Sequence, residues 1–228
     1  MKVISLSSLL YMTIPLLVVW FFYAKWVGNK KEIVYAGFRM VLQLLLIGYV
    51  LVYIFNGKSP LIGLLVIFIM ITISSYIALR NVKKRDFGLY KKFFISILIG
   101  GSFNLLLVLY AVLDLHPIYQ PRFIIPLAGM VYANSMNAIS LVAERFENEI
   151  SKRDFDEARA ISFKASLIPS VNAFLAVGLV SLPGLMTGQI LSGVDPIIAV
   201  RYQIAVMAMV LGSSGISSII YLNLQKKR

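Results

Sequence analysis

The chain has no cysteine and a single histidine, His116. The first absence excludes disulfides, thiolate metal sites and cysteine nucleophiles, and the second excludes a cage of several histidines around a metal ion. Charge is also scarce. It makes up 14% of the 228 residues, where a soluble domain carries about a quarter, and it is clustered. Ten acids stand against 22 bases, and none of the acids falls inside a long apolar run. A membrane hydrolase built on paired intramembrane aspartates is thereby excluded.

Apolar residues are what the chain has in abundance, 59% with a mean hydropathy of +0.84. They form charge-free runs, and about 20 apolar residues in a helix cross the roughly 30 Å of bilayer hydrocarbon. The pattern predicts an all-α polytopic membrane protein of about seven transmembrane helices. These cover approximately residues 3–24, 33–55, 59–79, 93–113, 123–143, 166–182 and 197–224. The first run is too long for a signal peptide and has no small-residue cleavage site after it, so it reads as a retained helix.

The net charge of +12 would suit nucleic acid if the bases formed one binding surface. Instead they sort by loop. Three lie in Lys25–Glu32, six in Arg80–Lys92, five in Glu144–Lys164 and three after Gln225, while only Lys2, Lys58 and Arg122 fall in the opposite set. This alternation predicts an N-terminus outside and a C-terminus in the cytoplasm, in the cell (inner) membrane. Membrane lipid, not nucleic acid, is the expected partner of the basic excess. The longest extramembrane segment is about twenty residues, so residues 1–228 are expected to form one transmembrane domain without a catalytic head.

Enzyme readings fail on particular residues. Gly57-Lys58-Ser59 looks like the end of a phosphate-binding loop, but Val52 stands where that motif requires glycine. No glycine-framed serine is present, and one histidine offers little acid–base chemistry. No metal site and no cofactor are expected in this chain.

Polar residues inside the spans are more informative. In Pro126–Asn137, helical spacing puts Met130, Asn134 and Asn137 on one face and Gly129, Ala133 and Ser140 on its neighbour. The small face admits a close helix–helix approach. The asparagines either bond between helices or line a wet path with methionines as soft contacts. The next span contains Asn172 and runs into Pro183, Gly184, Met186, Gly188 and Gln189. A helix break is expected at Pro183, forming either an outer loop or the kind of interrupted helix that builds transporter sites. Arg39 and Gln43 lie one turn apart in the second span, where the arginine either snorkels or faces an anion-admitting cavity. In Glu144–Lys164, roughly helical spacing of Phe146, Ile150, Phe155, Ala158 and Ile161 suggests an amphipathic cytoplasmic helix. Its near-balanced charge favours a protein partner over lipid.

Several stretches together resemble a known family. Pro126-Leu-Ala-Gly-Met-Val-Tyr-Ala-Asn-Ser-Met136, Leu167-Ile-Pro-Ser-Val-Asn172, the long Val177–Pro196 segment around Ser181-Leu-Pro-Gly184, Tyr202-Gln203-Ile204, and Arg39–Gln43 followed by Gly48-Tyr49 look like the FetB-type permeases. The resemblance covers nearly the whole chain. It implies an ABC-type transporter in which a permease dimer pairs with separate ATP-binding cassette subunits that carry the ATP and Mg. Bacterial members are linked to iron export and plant relatives to aluminium tolerance, with a nucleotide sugar proposed as cargo. On this reading Met130, Asn134, Asn137, Asn172, Met186, Gln189, Arg39 and Gln43 are candidates for the transport pathway. Ile150, Phe155, Glu157, Ala158 and Ile161 are candidates for ATPase coupling, and Pro183, Gly184 and Gly188 form the helix break. Where family members carry a longer loop with a Leu-Gly-Ala turn, this chain has Glu157-Ala-Arg-Ala-Ile-Ser-Phe163. An autonomous carrier or channel is the competing class, although no intramembrane acid or histidine is present to couple protons or sodium. An ABC permease for an anionic cargo is the other alternative.

Overall fold

A computed structural model describes residues 5–56 and 59–225. Secondary structure is helical almost throughout. The chain divides into two compact units, residues 1–58 and 59–228.

The first unit is a helical hairpin. Helix α1 (Leu6–Leu9) passes through a 3-10 turn into α2 (Thr13–Trp26), and α3 covers Lys30–Asn56. Gly28 makes the reversal at a φ of +79°, which a side chain rarely adopts. The turn is held by polar side chains. Trp20 Nε1 donates to the Lys30 carbonyl at 2.8 Å, and Tyr23 Oη and Asn29 Nδ2 both donate to Glu32 Oε2, at 2.7 and 3.0 Å.

The second unit is a bundle of α4 (Pro60–Ala78), α5 (Phe87–Leu107), α6 (Pro121–Glu149), α7 (Phe155–Ala176), short α8 (Gly184–Leu191) and α9 (Pro196–Asn223). Local chemistry fixes the helix starts. Asp86, Asp154 and Asp195 cap α5, α7 and α9 by accepting from Leu89, Glu157 and Ile197 N–H groups at 2.6, 2.8 and 2.8 Å. Pro60, Pro121 and Pro196 occupy first-turn positions, where a missing N–H costs nothing.

Contacts along α9 give the helix directions. Phe93, Gly100 and Asn104 of α5 meet Tyr221, Ser217 and Gly212 in reverse order, so the two helices are antiparallel. Helix α7 is antiparallel too, with Ser166 bonded to Ser218 at 3.2 Å and Ser170 near Val206 and Val210. Helix α6 runs parallel to α9. The buried faces are small: Ala158, Ser162, Ser166 and Ser170 recur every fourth residue on α7, where Ser166 meets Ser218 of α9, while Ser213 and Ser217 of α9 meet Ser135 of α6. Such faces bring backbones close and satisfy their hydroxyls on carbonyls within the helices. Ser162 bonds to the Ala158 carbonyl at 2.6 Å in this way.

One end of this bundle collects α4, α6 and α9 C-termini with α5 and α7 N-termini. All eleven bases of Arg80–Lys92 and Glu144–Lys164 belong to that end. There Lys92 Nζ donates to Gln225 Oε1 at 2.9 Å, and the Lys83 N–H donates to Glu147 Oε2 at 3.0 Å. Buried Glu149 receives Arg145 Nη2 at 3.0 Å and Arg153 Nε at 2.8 Å, and Arg153 reaches on to Glu157. Donating to Glu149 and then to Glu157 raises the basicity of the Arg153 guanidinium. This brace crosses the α6–α7 turn. Glu149→Ala removes the shared acceptor and should lower the melting temperature of purified protein modestly, because both arginines are solvent-screened; an unchanged melting temperature would mean that water serves both arginines equally well.

Six helices are long and apolar enough to cross a membrane among the described residues: Ser7–Trp26, Lys30–Phe55, Pro60–Asn81, Phe87–Val112, Pro121–Glu149 and Pro196–Asn223. The span expected at 166–182 differs. It lies in α7, whose first turns carry Asp156, Glu157, Arg159 and Lys164. The uncharged remainder, residues 165–176, is about 18 Å long at 1.5 Å per residue, shorter than the hydrocarbon layer. Nor is Glu144–Lys164 a separate amphipathic helix. It is the last turn and a half of α6, a short turn, and the start of α7. Phe146 and Ala158 are buried in the bundle's own core, Ile150 and Phe155 pack against it, and the Phe146 and Phe155 rings meet edge to face at 5.7 Å.

Candidate functional site

The helix break lies earlier than Pro183. Helix α7 ends at Ala176, and the chain reverses through Gly178 at a φ of +84°. The Gly178 N–H donates to the Ser181 carbonyl at 3.0 Å, and the Val180 N–H to that of Ala176 at 2.8 Å. Pro183 is the residue that opens α8, and Gly184 is its first position. Two short-range features replace one. The glycine turn stops α7 and the proline starts the next helix, so seven residues between Ala176 and Gly184 lie outside α-helix.

Around this break are two cavities. The first, of about 340 Å³, lies between Met130 and Asn134 of α6, Pro169, Ser170, Ala173 and Phe174 of α7, the Pro183–Leu185 entry to α8, and Gln203, Val206, Met207 and Val210 of α9. The second, of about 380 Å³, is lined by Phe174, the Val177–Gly178 turn, Leu182, Met186 and α9 residues that again include Gln203 and Met207. Phe174, Gln203 and Met207 belong to both. Among the described residues neither wall contains a charged side chain.

Gln203 is the group that stands out. It is 5% exposed, and its Oε1 has no hydrogen-bond partner among the described residues. An amide oxygen left without a bond in an apolar surround costs about 1–3 kcal/mol, so a position like this is expected to serve something. Asn134 is partly satisfied within its own helix, its Nδ2 donating to the Met130 carbonyl at 2.7 Å. Pro169 has no N–H to offer the Ala165 carbonyl, which frees a backbone acceptor one turn from the cavity.

The structure brings together only part of the set expected from sequence. Met130, Asn134, Pro183 and Gly184 line the first cavity and Met186 the second. Asn137 and Asn172 are exposed and line neither. Gln189 and Gly188 sit within α8; Gln189 Oε1 is buried without a partner among the described residues, outside both cavity walls. Arg39, half-buried, and Gln43, exposed, lie in α3 of the other unit. Glu157 is exposed on the first turn of α7 and Ile161 half-buried a turn further on. Sequence reasoning missed Gln203 and Met207 as site residues. The signal was available: Gln203 is the one amide in the apolar run from Tyr202 to Gly212, as informative as the asparagines of α6.

An uncharged cavity that bears an amide and thioethers thus lies at an interrupted helix of a multi-pass helical membrane protein. The chain belongs to the uncharacterised protein family UPF0014, which matches residues 5–156 and 152–228. It is 34% identical to UPF0014 membrane protein slr1647 of Synechocystis, over 82% of this chain and 79% of that one. It is also 34% identical to the probable iron export permease protein FetB of Escherichia coli, over 86% and 82% of the two chains. Protein ALUMINUM SENSITIVE 3 of Arabidopsis thaliana is 31% identical, over 91% and 81%. The resemblance to FetB-type permeases is thus met. No solved structure matches the chain.

Proposed function

We propose that this chain is the membrane permease subunit of an ATP-driven exporter, with a metal or metal complex as cargo. Two copies span the inner membrane, each with seven crossings, N-terminus outside and C-terminus in the cytoplasm. ATP and Mg bind on separate ATP-binding cassette subunits, and this chain performs no catalysis of its own.

The observation that carries the reading is the polarity of the second unit. Its eleven loop bases gather at one end, while the cavities and the interrupted helix lie towards the other. A positive end is the cytoplasmic end in a multi-pass protein. The same end holds the braced α6–α7 turn, a stiff element on which a soluble partner could push. The name of the Escherichia coli relative, a probable iron export permease, supports the direction and the cargo class. Exposed Asn137 and Asn172 support a second copy, because amides at membrane depth are accommodated by protein or a wet cavity. The seventh crossing is α7 together with the turn after it, its charged first turns standing in the cytoplasm.

Copurification tests this. A tagged chain extracted in mild detergent should bring down an ATP-binding protein in a 1:1 ratio, and Glu149→Ala should weaken that recovery several-fold. Recovery of the chain alone from cells expressing both would count against the ATPase. Cysteines placed at each terminus of this cysteine-free chain should react with an impermeant reagent from opposite sides of the membrane.

A further inference from the structure

Resting on that reading of the site, we infer that the cavities around Gln203 bind a soft monovalent metal ion, Cu(I) or Ag(I), through the thioethers of Met130, Met186 and Met207 and the Gln203 amide oxygen. Three methionines come here from three different helices: Met130 from α6, Met186 from α8 and Met207 from α9. Met207 and Gln203 line both cavities, with Met130 added in the first and Met186 in the second. Thioethers are soft ligands that select Cu(I) over harder divalent ions. The amide supplies an oxygen that is buried and has no other partner among the described residues.

Charge points the same way. No Asp, Glu, His or Cys lies between residues 165 and 194 or from 196 to the end of the chain, nor within residues 123–143. An ion entering the cavities therefore meets neutral ligands only. The cost of burying an ion rises with the square of its charge, so a divalent ion would be penalised about four times as heavily as a monovalent one. Arg201 is the nearest base in sequence. It is exposed and two positions before Gln203, on the other side of α9. A hard divalent ion would need carboxylates that these walls do not contain.

The test is metal binding by the purified full chain without any ATPase. Ag(I), or Cu(I) under reducing conditions, is titrated in competition with a chelator of known affinity, with Fe(II) in parallel. The wild type should bind one or two Ag(I) per chain, at least tenfold more tightly than Fe(II). Leucine keeps methionine's volume without its sulfur, so Met186→Leu with Met207→Leu should weaken Ag(I) binding at least tenfold while the melting temperature is retained. Gln203→Leu should weaken it less, and Met40→Leu, in the other unit, should leave it unchanged. Absence of Ag(I) binding by folded wild type, or binding indifferent to the double leucine variant, overturns the proposal. Because no nucleotide or partner is present, that failure leaves the ATP-driven permease reading standing. A failure of ATP-dependent export would likewise leave the metal site intact.

Discussion

Gly100→Ala is expected to reduce folded protein in the membrane at least tenfold. A β-carbon added at Gly100 would sit 2.6 Å from the backbone nitrogen of Ser217 and 2.9 Å from its Cα. Those atoms belong to a helix, not to the tip of a flexible side chain, so α5 and α9 would have to separate. Overpacking usually costs about 1–3 kcal/mol when side chains yield, and here the backbone must yield. The neighbouring positions offer no relief. Gly101 abuts the Tyr132 ring, with an added carbon 2.7 Å from its edge, and Gly212 abuts the Asn104 amide. Gly48→Ala in α3 is the control, with nothing among the described residues within 4 Å of an added carbon. Its helix should gain about 0.5–1 kcal/mol. Fluorescence-detected size exclusion of the two variants reads the difference directly.

Gln203→Leu should move stability and transport in opposite directions. Leucine removes the unpartnered amide oxygen, which should stabilise the protein by about 1–3 kcal/mol, and the melting temperature should rise. Transport should fall at least tenfold, because the one buried polar group common to both cavities is gone. This is the stability–function trade-off expected where a site holds an unsatisfied group for a ligand. A merely structural Gln203, bonded to water or to its own helix, would give the reverse signs: lower stability and unchanged transport.

These two variants also mark what could be read from sequence. Hydrophobic length placed three of the seven spans closely, since the predicted 33–55, 59–79 and 197–224 fall on α3, α4 and α9 to within three residues at each end. The start expected at residue 3 lies outside the described residues. Proline misled the reading near residue 183 because a proline that ends one helix and one that begins the next look alike in a string. The glycine at 178, with its left-handed conformation, does the stopping. The charged first turns of α7 read as part of a separate amphipathic helix in the cytoplasm because charge suggests water, yet Ala158 and Ser162 on the inner face are fully buried. A helix that starts in water and continues into the bundle carries both signals at once.

The site was legible in type more than in membership. Polarity inside an apolar run marks Met130 and Asn134, and the structure places both on the wall of the first cavity. Asn137, one turn on, is exposed and lines neither cavity, since a helix face seen in sequence does not say which of its edges the neighbouring helices cover. Gln203 escaped because its surroundings are set by α7 and the break, which meet α9 only in three dimensions.

The proposal that this chain moves cargo only when a partner's ATP hydrolysis drives it is tested most directly in inside-out vesicles. Vesicles containing the chain and its ATPase should accumulate radiolabelled silver or iron when ATP is added, and vesicles with either component alone should not. Equal accumulation by the chain alone, with no nucleotide present, would contradict the account and make this protein an autonomous carrier.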